Sequence, residues 1–280
     1  MALAILAGLA TALSNALALT TQHLASARHP SPPKGMAFVA FLLRQPLWLA
    51  GWLALGGSLV FQTIALHAGS LALVQPLLVS ELVLALVLRR AWLGQQLTAG
   101  AWWSALVTTT ALAVFLTLSR SSGDHDPTAR SWLVVGALCA AVTLSAVIVG
   151  RRGNPARRAA SFGLATAVSW AFEATLIKAL GTEWVRHGVA GTLQNWVFYV
   201  FCVAGIVGLL CEQTALHVGP LGVSQPVIVI ADPLVSIGLG VGLYAEYFEG
   251  SAWQHVAAIT ALVVTCLGAW RLMRLTPPLG

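Results

Sequence analysis

Charge is what this sequence has least of. Only 9% of its 280 residues are Asp, Glu, Lys or Arg, and lysine occurs twice, at Lys34 and Lys178. A soluble domain carries roughly 25% charged residues, so this chain has too few to clothe a water-facing surface. Cysteine is scarce as well. Cys139, Cys202, Cys211 and Cys266 all lie inside apolar runs without C-x-x-C spacing, which speaks against a disulfide framework or a zinc site and for buried, inert thiols. There is no Walker A motif, no HExxH and no Ser/His/Asp pattern, so neither an ATP-driven pump nor an enzyme of those classes is expected, and no cofactor. No Lys or Arg precedes Arg28. The opening stretch therefore lacks the positive region of a secretory signal and reads as a membrane helix.

Apolar residues fill the space that charge leaves. They make up 58% of the chain, and the mean hydropathy is +0.83. The net charge of +6 comes from short basic clusters between apolar runs, the pattern of membrane orientation rather than of nucleic-acid binding. A crossing helix needs about 20 apolar residues. Nine stretches qualify, at about 2–22, 46–66, 70–89, 99–119, 131–150, 159–180, 194–213, 220–243 and 253–272. The expected fold is an all-α polytopic membrane bundle, with its longest loop from His23 to Gln45 and short hairpin turns at Ala68–Gly69 and Val218–Gly219.

With the N-terminus outside, eleven basic residues fall inside: Arg28, Lys34, Arg44, Arg89, Arg90, Arg151, Arg152, Arg157, Arg158, Arg271 and Arg274. Four fall outside: Arg120, Arg130, Lys178 and Arg186. The positive-inside rule then predicts a plasma-membrane protein with its N-terminus outside and its C-terminus in the cytoplasm. Glu246 and Glu249 fall outside with no basic companion in their loop. Trp48, Trp92, Trp132, Trp184, Trp196, Trp253 and Trp270 stand near span ends, as an aromatic belt requires.

The chain also repeats itself. "ALHAGSLALVQPLLV" at 65–79 returns as "ALHVGPLGVSQPVIV" at 215–229, and "GLATALS" at 8–14 returns as "GLATAVS" at 163–169. Span one thus matches span six, and span three matches span eight. The unit is five helices, with residues 1–150 as the first copy and 151–280 as a second copy that lacks its last helix. An odd number of crossings turns the second copy upside down, and inverted repeats serve alternating access in many secondary transporters.

Each repeat carries a glutamine–proline pair, Gln75–Pro76 and Gln225–Pro226. Proline removes a backbone N–H and clashes with the carbonyl four residues back. The freed groups must be buried in protein or line a wet cavity. The pairs are read either as matched helix breaks at a solute site, with Gln75 and Gln225 orienting the solute, or as kinks whose glutamines bond neighbouring helices. His67 with Gly69 and His217 with Gly219 make the hairpin turns, as gates on opposite faces or as simple caps. Small residues at spacing four, Gly8 and Ala12, Gly163 and Ala167, and Gly238 and Gly242, suit close helix packing.

Ionisable groups at the bilayer centre cost about 2.5–3.5 kcal/mol on insertion scales and are functional candidates by default. Asp232, followed by a further helix breaker in Pro233, and Glu81 stand mid-span in nearly matching places. Glu173 lies in span six and Glu212 near the inner end of span seven. Such carboxyls exchange a proton or hold a cation. Lys178 is five residues from Glu173, a spacing that does not share one helical face.

Spans two and three, "WLAGWLALGGSLVFQTIALHAGSLALVQPLLVSELVLALVL", resemble the drug/metabolite transporter superfamily: a Trp/Gly-rich helix, a tight turn, then a proline-containing helix that ends in an acid. The nine-helix NIPA-like branch is the nearest likeness, with the EamA-like permeases next. Gln62 stands where the NIPA-like pattern carries an acid, and Glu212 restores it in the second half. The resemblance implies a permease for a small solute, or in the NIPA-like case a magnesium or other divalent-cation transporter, with a coupling proton and a homodimer compatible with it. The rival of another class is a membrane scaffold subunit that transports nothing.

Overall fold

A computed structural model describes residues 1–27, 44–94, 96–122, 125–219 and 221–275. Most of the expected loop from His23 to Gln45, with Arg28 and Lys34, lies outside the described residues. The helix before it continues to Ala27. The helices are α1 (Ala2–Ala27), α2 (Pro46–Ala68), α3 (Leu71–Leu78), α4 (Ser80–Leu93), α5 (Ala99–Leu118), α6 (Ala129–Gly150), α7 (Pro155–Gln194), α8 (Trp196–Val218), α9 (Leu221–Tyr244) and α10 (Ala252–Leu275). Two short strands, β1 (Arg120–Ser122) and β2 (Tyr247–Glu249), pair antiparallel. Among the described residues nine helical segments, with α3 and α4 joined as one, are long and apolar enough to cross a membrane. The chain is a multi-pass membrane protein.

Its surface and interior have the composition that lipid demands. Leu53, Leu133, Val203 and Ile259 are more than half exposed, and apolar side chains there meet lipid tails at no cost. The interior is built on small and hydroxylated residues, because lipid gives helices no hydrophobic reason to associate and close packing must do so. Thr11, Thr108, Thr166 and Thr265 are fully buried. Each satisfies its hydroxyl by donating to the carbonyl four residues back. A buried aliphatic core joins Ala4 and Ala7 to Leu66, Leu71, Val74, Leu77, Phe115 and Leu262.

Packing follows the repeat. In the first half α1 lies against α2 and the α3–α4 pair; in the second α7 lies against α8 and α9. Across the halves α3 meets α9, and α5 packs along α10. Gly8 and Ala12, and Gly163 and Ala167, are buried as expected. A Cβ on Gly8 would meet Leu77, and one on Gly163 would meet Ser224 and Val227. Gly238 and Gly242 depart from expectation. Both are exposed with nothing near them, and Gly240 between them is the closely packed one, against Leu71 and the carboxylate of Glu246.

The hairpins are tight for a related reason. His67 and His217 do not form the turns; each occupies the last turn of its helix and is exposed. Gly69 follows α2 and Gly219 follows α8, both in extended backbone. They are small because something lies against them. A Cβ on Gly69 would come within 2.7 Å of Ala4, and one on Gly219 within 2.8 Å of Ala159 and closer still to the Pro155 carbonyl. Ala4 and Ala159 are matching positions of the repeat, as are Gly69 and Gly219.

The prolines do not act alike. The third span is interrupted at Val79, three residues after Pro76. The eighth, α9, runs unbroken through Pro226 and Pro233. A proline deletes one ladder bond and bends the helix, and the bonds on either side are enough to carry it on. The third span thus has a one-residue irregularity at Val79, whose φ/ψ of −57°/−24° stay helical, and the eighth runs through both prolines.

Candidate functional site

The four membrane-depth acids stand on four different helices, α4, α7, α8 and α9. Glu81 at the start of α4 accepts a hydrogen bond from Asn15 Nδ2 of α1 at 3.0 Å. Glu212 lies in the last two turns of α8. Asp232 of α9 accepts from Ser236 Oγ one turn on, at 3.2 Å, and its charged neighbour is Glu173 of α7. Glu173 rests against Gly205 of α8, where a Cβ would come within 2.9 Å of its Oε1. Among the described residues no three His, Cys, Asp or Glu side chains gather as a metal cage.

Gln75 differs from its repeat partner. It is 3% exposed, and its Nε2 has no hydrogen-bond partner. Gln225 is only partly buried. A buried amide without a partner costs about 1–3 kcal/mol. Gln75 Nε2 is thus a buried donor where α3 packs against α9. Ser224 Oγ, fully buried beside Gln225, also lacks a partner. The sites of both atoms trace to the repeated motif.

A third cluster was not legible in advance. Glu246, expected in a loop without a basic companion, is 1% exposed. Its Oε1 accepts from Lys178 Nζ at 2.9 Å and from the Leu71 backbone N–H at 2.9 Å; its Oε2 accepts from the Ala72 N–H at 3.2 Å. Leu71 and Ala72 open α3, so the carboxylate caps a helix N-terminus, where the macrodipole favours negative charge. Lys178 also sits 4.5 Å from the Tyr244 ring centroid, and Tyr244 donates its hydroxyl to the Thr175 carbonyl at 2.7 Å. Close approach at Gly240 and a backbone bond from the Glu246 N–H to the Gly240 carbonyl hold the acid in place. The cluster therefore ties α3 of the first half to α7 and α9 of the second. The signal for it was Lys178 itself, a lysine in a span with no local partner.

The cluster stands at one face of the bundle. Successive spans alternate in direction, so the start of α3 and the ends of α5, α7 and α9 share that face, where β1 pairs with β2. In front of the cluster is a cavity of about 540 Å³ lined by Asp126, Trp132, Glu183, Arg186, Trp196 and Tyr244 among others. Trp132 is drawn in from the aromatic belt and meets Trp196, Tyr244 and Phe172 edge to face, at centroid distances of 5.5, 6.4 and 6.3 Å. Arg186 pairs with Asp126 at 2.8 Å and His187 with Glu183 at 3.0 Å. Tyr244 lies between this vestibule and Lys178. The loop at the matching place of the first half, residues 94–98, reads GQQLT and has no acid.

No family model matches the chain, and no solved structure matches it. It is similar to an uncharacterized protein of Corynebacterium glutamicum, 29% identical over 283 aligned positions that cover 99% of this chain and 97% of the relative. The likeness extends over all nine spans and their loops.

Proposed function

We propose that the protein is a secondary transporter of the drug/metabolite transporter type that moves a small solute by alternating access. The observation that carries this reading is the pair of matched contacts at opposite ends of the bundle. Ala4 seats Gly69 at the face of the Glu246 cluster, and Ala159 seats Gly219 at the other face. The inner contacts recur too, Gly8 on Leu77 and Gly163 on Val227. Halves that make the same contacts in opposite senses have two related arrangements available, one open to each side.

In this reading the solute site lies where α3 crosses α9, with Gln75 as the waiting donor. Asp232 with Glu173, and Glu81 with Glu212, load and unload a proton or cation. The Lys178–Glu246 cluster is the lock that closes one face, and the vestibule before Tyr244 is the approach to it. The first-half loop, without an acid, has no such lock, which makes this face the closed one at rest. By the charge asymmetry that face is the outside of the cell membrane, with the N-terminus on it.

The test is flux. The purified chain, reconstituted in liposomes, is offered radiolabelled amino acids, magnesium and tetraphenylphosphonium under an imposed pH gradient. Accumulation of at least one of these above that of empty vesicles is expected. No accumulation of any probe, with none of them shifting the melting temperature, would count against transport.

A further inference from the structure

The halves are joined by one short turn, and four arginines stand in it or directly after it: Arg151 and Arg152 in the turn, Arg157 and Arg158 at the start of α7. Its shape is fixed by particular contacts. The Arg151 N–H still bonds back to the Val147 carbonyl at the end of α6. Gly153 then takes φ +112°, in the region that favours glycine, and Asn154 caps α7 by accepting from the Arg157 N–H at 2.8 Å. Pro155 follows as the first helical residue, where its missing N–H is harmless. Arg158 Nε donates to the Gly150 carbonyl at 3.3 Å and closes the turn. A Cβ at Gly153 would lie 3.1 Å from Arg157 Cδ, so the Arg157 stem lies over the turn. Two arginines in the turn and two in the first turn of α7 thereby stand together at one end of the α6–α7 hairpin.

Among the described residues no acid pairs with Arg151, Arg152 or Arg157. Arg151, Arg152 and Arg157 are exposed, and among the described residues none of their guanidinium groups has a hydrogen bond or ion pair. The chain has no acid between Asp126 and Glu173. The spot is also at a defined depth, since one span ends at Gly150 and the next begins at Pro155. That is the level of lipid headgroups. Guanidinium forks match phosphate oxygens two at a time, and arginine clusters directly beside membrane spans attract anionic lipids.

We propose that this turn binds the phosphate of an anionic phospholipid headgroup, at the joint between the two halves. The lipid sits beside the Gly219 hairpin, whose glycine rests on the Pro155 carbonyl. The site requires neither transport nor a particular orientation of the chain.

The test uses the full chain purified in detergent, with bound lipid counted by native mass spectrometry and stability followed by thermal melting. Phosphatidylglycerol is expected to be retained saturably and to raise the melting temperature, with phosphatidylcholine doing neither. The triple variant R151Q/R152Q/R157Q is expected to bind phosphatidylglycerol about a hundredfold more weakly, the loss of three juxtamembrane cations. Because fewer arginines can disturb insertion, R151K/R152K/R157K keeps the charge and removes the forks; it is expected to insert normally and to bind several-fold more weakly. Inorganic phosphate alone is expected to give no saturable shift. Equal retention of phosphatidylcholine, unchanged binding in both variants, or equal stabilisation by inorganic phosphate would each overturn the proposal.

Discussion

Replacing Lys178 with methionine is expected to cost the folded protein about 3–5 kcal/mol, the penalty for leaving one partner of a buried ion pair alone. Glu246 would then stand at 1% exposure with two backbone N–H bonds and no counter-charge. Methionine fills much of the lysine stem's volume, so the loss reports charge rather than packing. The double variant K178M/E246Q removes both charges and keeps one side-chain oxygen, which can accept from the Leu71 or the Ala72 N–H. Replacing a buried pair by neutral residues of similar volume is often nearly free, so the double variant is expected to recover most of what the single one loses. Reversible unfolding in mixed micelles measures both. A single variant as stable as the wild type, or a double variant as poor as the sum of its parts, would mean that Lys178 and Glu246 are not coupled.

The second large effect concerns transport. Asp232→Asn is close to isosteric and keeps an oxygen to accept from Ser236. Insertion and melting temperature should therefore change little. Flux of the transported solute is expected to fall about 10- to 100-fold, corresponding to the 1.5–3 kcal/mol of a hydrogen bond to a charged group. Glu173→Gln, on the neighbouring carboxyl, should fall in the same direction. Flux in liposomes at wild-type level in the Asp232→Asn protein would make that carboxyl a structural residue, as expected of a scaffold.

Much of this molecule could be read from its letters because the membrane simplifies the problem. Lipid requires about 20 apolar residues per crossing, so span count and limits followed from run lengths. Only the 40-residue α7 departed far, because the chain goes on past Lys178 and turns at a kink at Gly188, where φ is +66°, into a further helical stretch. The repeat was visible as words, and its small residues do sit where helices touch, at Gly8 and Gly163. Three things were not legible. Proline signals a lost bond without saying whether the helix survives it, so Pro76 and Pro226 looked alike and act differently. A glycine run does not say which member is against a neighbour, so Gly240 was missed between Gly238 and Gly242. The Lys178–Glu246 pair joins residues 68 apart in sequence, a distance over which no spacing rule operates. The acids at depth were found by their rarity, but the Asn15 partner of Glu81 depends on which helices meet.

The most direct measurement concerns Gln75, which is buried in the present arrangement at the crossing of the two halves. In a background without the four native cysteines, Gln75→Cys is labelled in liposomes by a membrane-impermeant thiol reagent, added to one face and then to the other. Alternating access predicts labelling from both faces in the otherwise native chain, slow from the face of the Lys178–Glu246 lock and faster from that face once K178M/E246Q is added. Labelling from one face only, at the same rate with and without the lock, would contradict it.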